Sequence, residues 1–188
     1  HADDSLSEVV WDTPIQLLAV KPNQLCLIKE KIGGAQNLKN SRRNLLISVL
    51  AGVNINRLET TFPNHACVRA VPNTPSLVAE GLTGLSWGRD VSLSQKQSVH
   101  KIFNPISEVF ELPEEQMDAF LALTSSGPAY VSLITEALSD GAVAAGLPRI
   151  IANDLAIKTL AGTAALLDKN KLHPAELKDM VASPGGTT

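Results

Sequence analysis

The first part of the chain alternates short apolar runs with segments of helical spacing. The apolar runs predict strands over Ile15–Val20, Asn44–Val49, Cys67–Val71, Leu82–Trp87 and Val109–Leu112. Apolar residues at helical spacing, with a Ser92/Gln95 capping box in the last segment, predict helices over Asp4–Val10, Gln24–Asn40, Ile55–Thr61 and Ser92–Phe103. Because strands and helices alternate, this α/β pattern favours a parallel, doubly wound sheet.

At Pro113 the pattern becomes entirely helical. Further helices are predicted over Met117–Thr124, Pro128–Ala145, Arg149–Asp168 and Pro174–Val181. The second and third of these are rich in Ala and Gly, whose small side chains let helices approach closely, so we expect them to bury against a second copy of the chain. We therefore expect an α/β domain over residues 1–112 and an all-α dimerisation domain over residues 113–188.

Composition narrows the function classes. The chain has 188 residues, a formal net charge of -3 and 44% hydrophobic residues. This charge gives no attraction for nucleic acid, and we expect no nucleic-acid partner. Two isolated cysteines, four scattered histidines and the absence of an apolar run of about 20 residues predict a cytoplasmic protein with no metal site and no membrane contact.

Three predicted strand ends carry candidate cofactor residues. They are Ala19-Val20-Lys21-Pro22, Ala51-Gly52-Val53 and Asn73-Thr74-Pro75, although ordinary turns use the same residue types. A dinucleotide-binding sheet normally has Gly-x-Gly-x-x-Gly after its first strand, and this sequence contains no such motif. Either the protein binds no dinucleotide, or its first β-α-β unit lies upstream of His1.

Two further segments are candidates for a substrate site. Ser125-Ser126-Gly127-Pro128-Ala129-Tyr130 is either an interhelical hinge or an active-site wall, and residues 113–148 contain no Lys, Arg or His. The helical segment therefore favours chemistry that needs no such general acid or base. At the C-terminus, Ser183-Pro184-Gly185-Gly186-Thr187-Thr188 is either a frayed end or an anion cradle, because two glycines let successive N–H groups converge beside three hydroxyls.

These segments together resemble pyrroline-5-carboxylate reductases in order and spacing. The resemblance is carried by Leu18–Pro22, Val71–Pro75, Ser125–Tyr130, Asp140-Gly141 with Gly146–Arg149, and His173–Thr188. It implies a Rossmann-type domain that binds NADPH or NADH, a helical domain that forms a homodimer or higher oligomer, and reduction of L-1-pyrroline-5-carboxylate to L-proline. It also implies that a chain of this family would have about 50 residues before His1, with the glycine loop, and further helices after Thr188.

The resemblance also implies site residues. Ser183, Gly186, Thr187 and Thr188 would hold the substrate carboxylate, and the Thr188 hydroxyl would approach the ring nitrogen as the catalytic group. The cofactor would be lined by Ala19, Val20, Lys21, Ala51, Asn73 and Pro75. Two alternatives remain: a non-catalytic helical dimer module, and a related imine or hydroxyacid reductase, of which the missing Lys or His disfavours the hydroxyacid branch.

Overall fold

The computed structural model describes residues 13–33 and 43–187. A five-stranded sheet has the order β1 (Ile15–Leu18), β2 (Asn44–Ser48), β3 (His65–Pro72), β4 (Gly81–Trp87) and β5 (Ser107–Glu111). The helices that accompany it are α1 (Leu25–Gly33), α2 (Ile55–Thr61) and α3 (Leu93–Phe103). Each predicted strand and each predicted helix after residue 12 is therefore present, within a few residues of its expected bounds. The helix predicted over Asp4–Val10 and the end of the one predicted over Gln24–Asn40 lie outside the described residues.

Apolar side chains cover both faces of this sheet. Alternate residues of β2 point to opposite sides, so that Leu46 packs in a cluster with α1 and α2, whereas Leu45 and Ile47 pack in a cluster with α3. Phe62 on one face and Phe103 on the other are both buried. Burial on both faces explains why the strands appear in the sequence as continuous apolar runs.

The sheet is parallel except at one pair of strands. β1 with β2, β2 with β3, and β4 with β5 are parallel, whereas β3 and β4 are antiparallel. The predicted parallel sheet is thus confirmed as a mostly parallel sheet, and the β3–β4 pair is its exception. Only residues 73–80 connect β3 to β4, and a parallel crossover needs about a dozen residues or more. The chain therefore turns back on itself.

The remaining helices follow Pro113. They are α4 (Met117–Thr124), α5 (Gly127–Ala144), α6 (Arg149–Asn170) and α7 (Pro174–Val181), and a short 3-10 turn over Glu114–Gln116 precedes α4. The described residues divide into two compact units, the first with residues 13–33 and 43–128 and the second with residues 129–187. In the first unit, α4 lies directly against β4, because a Cβ atom added to Gly84 would be 2.8 Å from the Phe120 ring. The predicted domain boundary after residue 112 stays a proposal.

An ion-pair network around the buried Arg69 side chain attaches the start of α4 to the sheet. The Arg69 side chain on β3 is 2% exposed and donates to Glu114 at 2.6 Å and to Asp118 at 2.9 Å. Glu114 also accepts the backbone N–H of Ile55, at the start of α2, at 3.2 Å. Burial alone would lower the pKa of Arg69, but its hydrogen bonds with the two carboxylates outweigh burial and raise that pKa above its ordinary value.

His65 at the start of β3 makes the stability of the sheet depend on pH. Its ring is buried against Phe62, neither ring nitrogen has a hydrogen-bond partner among the described residues, and burial lowers its pKa below the ordinary value of 6.5. Below about pH 6.5, His65 therefore binds a proton more readily in the unfolded chain than in the folded chain. We therefore expect the free energy of unfolding to decrease as the pH is lowered below about 6.5, by up to about 1.4 kcal/mol per pH unit for this one proton.

Urea unfolding followed by tryptophan fluorescence between pH 7.5 and 5.5 measures this dependence. His65→Leu should flatten the profile. The matched control is His173→Asn, because His173 caps α7 by accepting the Ala175 N–H at 3.2 Å and Asn also caps helices. An unchanged pH slope in His65→Leu would show that another group causes the dependence.

Candidate functional site

The carboxyl ends of β1, β2 and β3 meet at one edge of the sheet. Leu18 pairs with Ser48, and Ser48 pairs with Arg69, so the three strands run together towards this edge. The pairing continues past β2, where the Val49 N–H donates to the Leu18 carbonyl at 3.1 Å. All six residues predicted to line a cofactor follow these strand ends: Ala19, Val20, Lys21, Ala51, Asn73 and Pro75.

Local hydrogen bonds shape the first two strand ends. After β1, the Lys21 N–H donates to the Gln24 side chain at 3.2 Å and the Lys21 carbonyl accepts the Gln24 N–H at 2.9 Å. Lys21 itself is exposed. After β2, Ala51 is exposed and Gly52 has φ +69° with no atom within 4 Å of where a Cβ would lie. An open turn and an exposed cation at the ends of neighbouring strands can accept an anionic or polar ligand.

The third strand end is organised by Asn73. Its side-chain amide donates to the Thr124 carbonyl at 3.1 Å and accepts the Leu82 N–H at 2.8 Å. Pro75 lies in the following 3-10 turn, Thr74–Val78, and the Asn73 carbonyl accepts the Ser76 N–H at 3.2 Å. The Asn73 side chain therefore has partners in the protein at both of its polar ends, which the sequence did not indicate.

The C-terminal glycine segment forms a tight turn after α7. The Gly186 N–H donates to the Ser183 carbonyl at 2.9 Å, and Gly185 has φ +73°. Pro184 and Gly185 are the residue types that a type II turn requires at its two central positions. Ser183, Gly186 and Thr187 are exposed. The structure thus brings three of the four predicted carboxylate ligands into one exposed turn, whereas Thr188 lies outside the described residues.

The Ser125–Tyr130 segment joins α4 to α5. Ser125 and Ser126 are half-buried, Gly127 begins α5, and Tyr130 is 60% exposed. The boundary between the two compact units falls at Pro128, inside this segment. Both interpretations of the segment, a hinge and an active-site wall, are compatible with this position.

The sequence did not single out a polar groove between α5 and α6. The groove has a volume of about 1010 Å³ and includes Ser132, Glu136 and Asn153 in its lining. At its base the buried Ser139 hydroxyl donates to the Asn153 side chain, and Arg149 donates to Asp140 at 2.5 Å and to Ser139 at 3.1 Å. The spacing of Ser132, Glu136 and Asp140 at every fourth position was the available signal, because it places them on one face of α5.

Two features of the described residues bear on other kinds of site. Among residues 13–33 and 43–187, no three His, Cys, Asp or Glu side chains come together as a metal site would require. One helix of these ranges, α6, is long and apolar enough to cross a membrane by length and composition alone, and only 11% of its most apolar stretch is buried. An apolar helix with so little cover can equally pack against protein.

Comparisons with known proteins show one family. A family model described as pyrroline-5-carboxylate reductase dimerisation matches residues 114–188. Among curated proteins, the pyrroline-5-carboxylate reductase of Synechocystis sp. is 47% identical over 93% of this chain and 63% of its own length. The corresponding protein of Mycobacterium leprae is 36% identical over 98% of this chain and 69% of its own length.

Solved structures give the same result. The crystal structure of Plasmodium falciparum pyrroline carboxylate reductase with NADP bound has a TM-score of 0.85 and 33% identity, over 95% of this chain and 67% of that one. The Coxiella burnetii pyrroline-5-carboxylate reductase has a TM-score of 0.81 and 34% identity, over 94% of this chain and 65% of that one. This chain spans 63% and 64% of the length of the Synechocystis and Arabidopsis thaliana relatives.

Proposed function

We propose a function from one premise, which is that this chain belongs to the pyrroline-5-carboxylate reductase family. The complete protein reduces the C=N bond of L-1-pyrroline-5-carboxylate to give L-proline, the last step of proline synthesis. The cofactor is NADPH or NADH, which supplies a hydride when bound. The observation that carries this proposal is the parallel register of β1, β2 and β3, which brings the exposed residues Lys21 and Ala51 to one edge of the sheet.

The described residues fit part of a dinucleotide. The open turn at Gly52 and the exposed Lys21 side chain can receive a ribose or a phosphate at the edge of the sheet. Ala19, Val20 and Pro75 would provide the adjoining wall. The glycine loop that holds the pyrophosphate in Rossmann domains is not in this sequence. Residues 1–112 therefore supply one side of the cofactor site.

The turn after α7 holds the substrate carboxylate in this proposal. The Ser183 hydroxyl and the backbone N–H of Thr187 are donors of the kind that bind an anion without a metal. The Gly186 N–H already donates to the Ser183 carbonyl, so Gly186 contributes by letting the carboxylate approach the backbone closely. The Thr188 hydroxyl, which follows directly in the chain, donates to the ring nitrogen. The imine accepts a hydride at carbon while its nitrogen, which accepts the Thr188 hydrogen bond, takes up one proton from solvent. Binding and orientation therefore suffice, and the absence of Lys, Arg and His from residues 113–148 agrees with this chemistry.

The assay that tests this function uses the complete protein. We expect oxidation of NADPH to depend on pyrroline-5-carboxylate, with one L-proline formed for each NADPH consumed. Open-chain 2-oxo acids should be reduced at a far lower kcat/KM. A preference for the oxo acids would replace the assignment with a hydroxyacid reductase.

A second copy of the chain covers the helical unit in this proposal. Within residues 129–187, Ser139, Ala152 and Ala156 are the buried residues of the described part. Large apolar side chains are exposed along α5 and α6, including Leu133 at 66%, Ile150 at 85% and Ile157 at 58%. A unit that buries so little of its apolar surface is stable only when a partner covers it. We place this dimer in the cytoplasm, away from membranes and nucleic acid.

The same observation favours the second candidate, a helical dimer module without catalysis. The 188-residue chain itself separates the two. Sedimentation equilibrium should show a dimer, and NADPH fluorescence should saturate on titration if residues 1–112 retain a cofactor site. A folded dimer with no saturable NADPH binding would assign this chain the module function, and a monomer would contradict both candidates.

A further inference from the structure

We infer that Asn73 is a positioning residue, one that fixes the strand-end turn at β3 against the end of α4 and acts on the reaction through the backbone of this turn. The inference rests on the proposed reductase function and deepens it. It concerns how the cofactor edge is held, and it differs from a direct contact between the Asn73 side chain and the cofactor.

The first observation is that Asn73 does not use its side chain in the usual way. Asn73 is the N-cap of the 3-10 turn Thr74–Val78, where an Asn side chain ordinarily accepts a hydrogen bond from the first turn. No such bond forms here. The side-chain oxygen instead accepts the Leu82 N–H, nine residues further along the chain, at 2.8 Å. The amide thus closes the whole β3–β4 connection.

The second observation concerns the other end of the same amide. The Asn73 nitrogen donates at 3.1 Å to the Thr124 carbonyl, in the last residue of α4. The last carbonyls of a helix have no partner within the helix, so this bond satisfies a group that would otherwise need water. The Thr124 side chain is buried and bonded to the Phe120 carbonyl at 2.8 Å. Asn73 therefore binds a residue whose own side chain is buried and hydrogen-bonded.

The third observation is that α4 is attached to the sheet along its length. Arg69 binds Glu114 and Asp118 at its start, and Phe120 packs on Gly84 in its middle. The hydrogen bond from Asn73 to the Thr124 carbonyl attaches its end. One amide group thus links the turn that begins at residue 74 with the segment that follows α4, and α4 itself is attached to the sheet at its start, middle and end.

A displacement of about 1 Å at such a point costs about 100-fold in rate when the reacting groups must be aligned. Asn73→Asp keeps an acceptor for the Leu82 N–H and removes the donor to Thr124, whereas Asn73→Ala removes both. Ser107→Ala is the matched control. It deletes a buried hydrogen bond of 2.6 Å to Thr83, next to Leu82, and leaves both hydrogen bonds of the Asn73 side chain in place.

The experiment combines steady-state kinetics of the complete protein with amide hydrogen exchange. We expect both Asn73 variants to lower kcat at least tenfold with less than a threefold change in KM for NADPH, and Ser107→Ala to keep the wild-type kcat. Exchange at Leu82 should accelerate in Asn73→Ala and stay protected in Asn73→Asp, and residues 125–127 should exchange faster in both. We call the two hydrogen bonds of the Asn73 side chain, to Leu82 and to Thr124, the clamp. Protection from hydrogen exchange at these sites reports whether the clamp is formed, even in a variant without activity.

Two results would overturn the inference. A rise in KM for NADPH with unchanged kcat would make Asn73 a cofactor contact. A wild-type kcat in both variants, with faster exchange, would make the clamp purely structural. If the wild-type protein reduces no pyrroline-5-carboxylate, the proposed function fails instead, and unchanged exchange in both variants would then overturn the clamp separately.

Discussion

Replacing Arg69 by methionine is expected to lower the free energy of unfolding by about 3–5 kcal/mol, the usual cost of removing one partner from a buried ion pair. Arg69 is 2% exposed and reaches Glu114 and Asp118 across the start of α4. Its removal leaves the Glu114 carboxylate, 77% of which is shielded from solvent, without its cation. The loss should also loosen α2, because the same carboxylate accepts the Ile55 N–H.

Urea unfolding monitored by far-UV circular dichroism measures this effect, and Arg43→Met is the matched control. Arg43 pairs with Asp90 at 2.5 Å, but both side chains are at least half exposed. Exposed pairs contribute about 0–1 kcal/mol. Equal losses in the two variants would show that burial of the Arg69 network has no energetic consequence.

Replacing Gly186 by alanine in the complete protein is expected to raise KM for pyrroline-5-carboxylate at least tenfold. A Cβ atom at this position would lie 2.7 Å from the Ser183 hydroxyl and 3.1 Å from the Ser183 carbonyl. Either the hydroxyl moves or the turn opens, and both changes displace proposed donors to the carboxylate. Loss of one hydrogen bond to a charged group costs about 1.5–3 kcal/mol, which corresponds to roughly 10- to 100-fold in binding.

Gly185→Asn is the control within the same turn. Gly185 has φ +73° and open space where its Cβ would lie, and Asn tolerates this left-handed backbone better than other residues. Its KM should stay within about threefold of wild type. If Gly186→Ala keeps the wild-type KM, the substrate carboxylate is bound elsewhere.

Local sequence patterns predicted the elements well because each depends on neighbours in the chain. The Ser92/Gln95 capping box forms as expected, with the Ser92 N–H donating to Gln95 at 2.9 Å. The apolar run over Asn44–Val49 became a central strand because both of its faces are covered. The predictions over Asp4–Val10 and at Thr188 stay predictions, since both lie outside the described residues.

The features that the sequence did not indicate depend on residues far apart in the chain. Arg69 meets Glu114 after 45 residues and Asn73 meets Thr124 after 51. Asn73 illustrates the difficulty, since Asn before Thr-Pro is as typical of a turn as of a ligand site. The antiparallel β3–β4 pair was also missed, although the short connection of residues 73–80 was a usable signal.

The most direct test of the account is the ratio of kcat/KM for L-1-pyrroline-5-carboxylate to that for 1-pyrroline, which has the same C=N bond and no carboxylate. The measurement uses the complete protein with saturating NADPH. If the turn over residues 183–188 holds the carboxylate in a reductase site, the ratio should be at least about 100, the equivalent of about 2.7 kcal/mol of charge-assisted hydrogen bonding. Equal reduction of both imines, or reduction of neither, would contradict it.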